Sequence, residues 1–144
     1  MRADHFERDI RRILEPNPYR KPVDFLERFL TRIPYSAKAS GGFSIASAPW
    51  LREPLEAIFD PEVREVGVQA AVQLGKSLLI EAASCIIPVV DPGPTLILQD
   101  TDKNADDYKE SRLRKLWNAV EPTRAELTSE GIPKKGPISF RANT

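Results

Sequence analysis

The sequence predicts an α/β protein, a three-layer α/β/α fragment with parallel strands preceded by N-terminal helices. Three observations carry this expectation. A β-branched run, Val63 to Val68, is followed by a short polar connector and then by an apolar helix that opens at Gly75. A second apolar run, Thr95 to Gln99, is bounded by turn residues, as a strand buried on both faces should be. Before residue 34, apolar side chains recur at helical spacing.

The bulk properties bound this reading. With 144 residues, the chain has room for one domain and a modest core. A hydrophobic fraction of 41% and a charged fraction of 29% are those of a globular protein and exclude wholesale disorder. Lys+Arg 21 balances Asp+Glu 21, so no global positive field draws in a phosphate backbone, and any contact with DNA must be local. One cysteine excludes an internal disulfide. No apolar run approaches the length of a membrane span, and the N-terminus lacks the apolar core of a secretion signal, which points to a cytoplasmic protein with no membrane partner.

The elements follow in chain order. Phe6, Ile10, Ile13 and Leu14 predict a helix over Ala3 to Leu14, ended by Glu15-Pro16-Asn17-Pro18. Pro22 in a first turn and a stripe of Phe25, Leu26, Phe29, Leu30 and Ile33 predict a second helix to about Ile33. Pro34 to Trp50 has neither period and reads as a loop or arm. Glu53 to Phe59 is a candidate short helix closed by Asp60-Pro61. The Val63 to Val68 strand feeds the helix from Gly75, which carries Leu78, Leu79, Ala82, Ala83 and Ile86 until Pro88 is expected to stop it. After the connector Asp91-Pro92-Gly93-Pro94 and the strand at Thr95, helical spacing resumes from Asp102 to about Val120; Pro122, Gly131 and Pro133 then break regularity. Ile138 to Arg141 alternates like the opening of another strand. The division expected is a helical lead and arm over 1–48 and an incomplete α/β domain over 49–144.

The chemistry concentrates at Gly75-Lys76-Ser77. Backbone N–H groups at a helix N-terminus, reinforced by the helix dipole, form an anion site. Gly75 admits close approach of backbone to phosphate, Lys76 adds a point charge for the β/γ-phosphates, and the Ser77 hydroxyl suits Mg²⁺. The full Walker A pattern is Gly-x-x-x-x-Gly-Lys-Ser/Thr, and Ala70 stands where its first glycine belongs. The competing account is an ordinary helix start; strand, loop, helix and second strand together favour a phosphate loop of the P-loop NTPase kind.

At Gln73-Leu74-Gly75-Lys76-Ser77 the chain resembles the deviant phosphate loop of phage large terminase subunits, and the frame around it resembles the lambda-type, GpA-like branch. That frame comprises Trp50-Leu51-Arg52-Glu53-Pro54-Leu55, Asp60-Pro61-Glu62-Val63-Arg64-Glu65-Val66, and Asp91-Pro92-Gly93-Pro94 before an apolar run. The resemblance implies an ATPase of the viral genome packaging motor, with ATP and Mg²⁺ as cofactors. It implies double-stranded viral DNA, a small terminase subunit and a portal protein as partners, a homo-oligomer at full length, and the host cytoplasm as location. Lys76 then has the catalytic part; Gln73, Leu74, Gly75, Lys76 and Ser77 hold the nucleotide, Ser77 faces the metal, and Trp50 packs near adenine. Trp50 stands where the family often has tyrosine, and core packing accounts for it equally well. The C-terminal part of the ATPase domain, with its acidic strand, and the nuclease domain are expected beyond Thr144.

Several residues imitate missing parts. Asp91 ends an apolar run broken by Pro88 and is assigned to a turn. Asp100 and Asp102 suit a helix cap better than a metal. No arginine is placed to stabilise the transferred phosphoryl group: Ala71 and Val72 cannot, and Arg64 is too early. His5 lacks metal-ligand partners, Cys85 is assigned to the core, and Arg112, Arg114 and Lys115 to solvated helix charges rather than a DNA contact, as are Lys134 and Lys135. Two rivals stay open: another P-loop enzyme, helicase-like or a small-molecule kinase, and a non-catalytic prophage remnant.

Overall fold

The computed structural model describes residues 21–35, 41–128, 133, 138 and 140. The expected helix over Ala3 to Leu14, with His5, lies outside them, as do Lys134 and Lys135. The described elements are α1 (Pro22–Phe29), a 3₁₀ turn (Pro49–Leu51), α2 (Arg52–Ile58), α3 (Lys76–Val90), α4 (Asp102–Tyr108), a π-helical turn (Lys109–Leu113), α5 (Arg114–Ala119) and α6 (Glu121–Glu126).

Helix α1 opens on Pro22, whose missing N–H is harmless in a first turn, and buries Val23, Phe25 and Leu26. It ends at Phe29, short of the expected Ile33. Pro34 has no N–H for the Leu30 carbonyl and disfavours helical geometry at Ile33. The Phe43 N–H takes that carbonyl instead, at 2.7 Å. Gly42 permits the return, because a Cβ there would stand 2.3 Å from the Leu30 oxygen. The Ile45 N–H donates to Glu27 Oε1 at 2.9 Å and fastens the same loop to α1.

Helix α3 is the centre of the fold. It packs against α1, α2, α5 and α6, and its Leu79, Ala82, Cys85 and Ile86 join Leu26, Leu30, Leu55, Leu116 and Val120 in one core. Pro88 does not stop it, contrary to the sequence expectation: the helix continues to Val90, and the Asp91 N–H still reaches the Ile87 carbonyl at 3.1 Å. An interior proline costs about 3 kcal/mol. Beyond it, Val89 and Val90 pack against the core, so the extension still removes apolar surface from water. In the turn before Pro88, the Thr123 hydroxyl donates to the Cys85 carbonyl at 2.6 Å.

The helical signal from Asp102 to Val120 is realised, with a π-helical turn inside it. Pro122 does not end regularity; it sits in the first turn of α6, which buries Thr123.

The parallel α/β architecture is overturned. Among the described residues there is no strand, and the only β pairing is a single antiparallel bridge between Leu127 and Phe140. Both runs assigned to strands, Val63 to Val68 and Thr95 to Gln99, are irregular. Leu96 and Leu98 are 79% and 78% exposed, and Val63 and Val68 are also exposed. β-Branched and apolar composition describes the side chains a sheet prefers. A strand also needs a neighbour for its backbone N–H and C=O groups, and neither run finds one among the described residues. No helix described is long and apolar enough to cross a membrane.

Candidate phosphate-binding site

The N-terminus of α3 is an open, uncapped helix end. Gly75 is its N-cap residue with φ +84°, a left-handed conformation natural to glycine, and Gln73 precedes it at φ +66°. The Leu79 N–H closes the first helical bond onto the Gly75 carbonyl at 3.0 Å, so the N–H groups of Lys76, Ser77 and Leu78 precede the helical ladder. No side chain caps them and no acidic residue lies in the first turn. The positive end of the helix dipole is therefore not neutralised locally. Gln73, Leu74, Lys76 and Ser77 are all exposed.

The loop before the helix curls back on the lysine. Lys76 Nζ donates to the carbonyl oxygens of Ala70 and Ala71, each at 2.7 Å. From the other side, the indole N–H of Trp50 donates to the Leu74 carbonyl at 3.0 Å. Leu51, almost fully buried, lies beneath Gly75, with its Cδ1 3.4 Å from where a Cβ would be. The fold thus brings Trp50, Gln73, Leu74, Gly75, Lys76 and Ser77 into one corner. No strand feeds that corner: the residues leading into it, 63–71, are irregular.

The acidic candidates lie elsewhere. Asp91 is the C-cap of α3, separated from Lys76 by a helix of 15 residues, about 22 Å at the usual rise. Thr101 caps α4, accepting from the Asn104 N–H at 3.2 Å, while Asp100 Oδ1 accepts from the Asn104 side chain at 2.7 Å and Asp102 occupies the first turn. Among the described residues no three His, Cys, Asp or Glu side chains gather as a metal site. A cavity of about 520 Å³ lined by Ser84, Pro88, Ile97, Leu113 and Trp117 lies along the C-terminal half of α3, away from Lys76.

One cluster escaped the sequence reading. Glu81, fully buried on α3, accepts a hydrogen bond from the Tyr35 hydroxyl at Oε2, and its Oε1 lies 3.9 Å from Arg112 Nη1. The Arg112 guanidinium stacks over the Tyr35 ring, 4.4 Å from its centroid. Burial pushes the Glu81 carboxyl above its ordinary value, against the lowering effects of Tyr35, Arg112 and Tyr108. Burial first, then Glu81, pushes the Tyr35 hydroxyl up, and the same two causes push up that of Tyr108. Arg112 is therefore no ordinary solvated helix charge, whereas Arg114 pairs with Glu110 at 2.8 and 2.9 Å, as i,i+4 partners do. The signal was present in the sequence: Leu78, Glu81, Ala82 and Cys85 share one helical face, so an acid on an apolar stripe was legible.

Residues 37–137 match the family model for the phage terminase large subunit gpA, ATPase domain. The chain belongs to that family. No curated protein and no solved structure gives a match. The terminase match spans the 3₁₀ turn, α2, α3 and the loop leading into α3, so every residue of the corner described above lies within the ATPase-domain match.

Proposed function

We propose that this terminase chain binds Mg²⁺·ATP at the Gly75 corner, as part of the motor that packages viral DNA into procapsids. The observation that carries the reading is the exposed, uncapped N-terminus of α3, with Lys76 and Ser77 in its first turn, inside a match to a terminase ATPase domain. The residues fit the group: the helix end offers N–H donors and a positive dipole, and no acidic residue in its first turn opposes a triphosphate.

In this reading Lys76 exchanges the Ala70 and Ala71 carbonyls for the β/γ-phosphates and is the catalytic residue, holding charge on the transferred group. Ser77 presents its hydroxyl to the metal. Gln73 and Leu74 set the path of the loop, Gly75 lets it approach phosphate, and Trp50 flanks it. Mg²⁺, when bound, neutralises charge between the phosphate oxygens. The partners follow from the family: double-stranded viral DNA, a small terminase subunit, a portal protein and further copies of the chain, in the host cytoplasm.

Titration of a fluorescent ATP analogue with Mg²⁺ against the chain and against Lys76→Ala tests the site. Affinity should fall at least about tenfold in the variant, as loss of a charge-assisted contact implies; equal affinities would overturn the assignment.

A further inference from the structure

The 3₁₀ turn Pro49–Leu51 supports the phosphate loop at successive residues. The Trp50 indole N–H holds the Leu74 carbonyl at 3.0 Å, and Leu51 lies under Gly75. Trp50 itself is 52% exposed, so core packing is not what keeps it in place. Its polar edge is committed to the loop 24 residues on.

The Leu74–Gly75 peptide is a single plane, in which the carbonyl and the N–H point in opposite directions. Fixing the Leu74 oxygen toward the indole therefore fixes the Gly75 N–H away from it. Without that bond the plane is easily turned, because Gly75 tolerates most backbone conformations, and a flipped peptide would present a carbonyl where a donor is needed.

We propose that Trp50 is a positioning residue for the phosphate loop: its indole N–H sets the orientation of the Leu74–Gly75 peptide, and so the donors offered to a polyphosphate, whatever base the nucleotide carries. The inference rests on the Gly75 corner being a triphosphate site. It assigns Trp50 a function distinct from stacking on adenine, which would use the ring face and leave base-free ligands unaffected.

Inorganic tripolyphosphate with Mg²⁺ separates the two, since it carries the charges and no base. Trp50→Phe keeps an aromatic ring and removes the donor. It should weaken tripolyphosphate and ATP by the same factor, about five- to tenfold for one hydrogen bond, with an unchanged urea midpoint. Loss of ATP affinity alone, or of neither, would overturn the proposal. Should the variant fold poorly, the unsubstituted chain still decides: its Trp50 indole N–H, one of two in the sequence, should exchange more slowly with solvent once Mg²⁺·tripolyphosphate binds, and an unchanged rate sinks the idea. Lys76→Ala, run alongside, isolates the underlying reading. If that variant binds tripolyphosphate as well as the parent does, the site itself falls; if it loses binding while Trp50→Phe does not, only the role of Trp50 falls.

Discussion

The ammonium of Lys76 lies 2.7 Å from the carbonyl oxygen of Ala70, at the start of the loop that precedes its own helix. The side chain so placed on α3 also reaches Ala71, and the lysine closes the loop on itself. Phosphate oxygens are stronger partners for an ammonium than neutral carbonyls, so under the proposed function a nucleotide would displace this arrangement rather than add to it.

Lys76 is exposed and makes no core contact, so Lys76→Ala should shift folding stability by no more than about 0.5–1 kcal/mol. Nucleotide affinity should fall by an order of magnitude or more. Urea titration and nucleotide titration on the same preparation check the separation; a large loss of stability would mean that the lysine serves the fold.

Gly75→Ala places a Cβ in a backbone at φ +84°. The left-handed conformation costs a non-glycine residue roughly 1–2 kcal/mol, while the contact with Leu51 at 3.4 Å is ordinary. The expected outcome is that loss in the urea midpoint together with weaker nucleotide binding. No change in either would show that the helix start readily adopts another conformation.

Glu81 makes stability depend on pH. Its folded carboxyl is raised by burial, and the groups facing it are Tyr35 from the loop after α1, Tyr108 from α4 and Arg112 from the π-helical turn, with Cys85 on its own helix. Between the ordinary carboxylate value and the raised one, the native state holds a proton that the unfolded chain has released. The favourable contribution is complete below the ordinary value and is lost as pH rises through the raised one. Glu81→Gln keeps an acceptor for Tyr35 and should abolish that slope in urea midpoints measured across mildly acidic to neutral pH. Glu81→Leu leaves the Tyr35 hydroxyl without its acceptor and should cost about 1–3 kcal/mol.

Cys85 is fully buried, and burial together with the Glu81 charge pushes its thiol well above the ordinary range. A thiol-reactive disulfide reagent should label the native chain only as fast as it unfolds. Labelling at the rate of a free thiol would place Cys85 at the surface.

The helices were legible because their signals are local. Pro22 in a first turn and the Leu79, Ala82 and Ile86 stripe each carry their reason within a few residues; the cap of α4 was expected at Asp100 or Asp102 and falls on Thr101 between them. Cys85 as a core residue was legible for the same reason. The overrun of Pro88 was not: whether an interior proline is tolerated depends on how the helix packs against distant segments such as α6, whose Thr123 reaches the Cys85 carbonyl across 38 residues. Arg112 escaped because its partners, Glu81 and Tyr35, come from other elements.

The amino-acid order alone determined where a helix starts with glycine, lysine and serine, and which face of that helix is apolar, since both are properties of neighbouring residues. Only the tertiary structure decided that Val63 to Val68 and Thr95 to Gln99 find no pairing strand among the described residues, and that Trp50 reaches the Leu74 carbonyl. A backbone ladder and a long-range hydrogen bond each need a second segment of chain at the right distance, and composition cannot supply that distance.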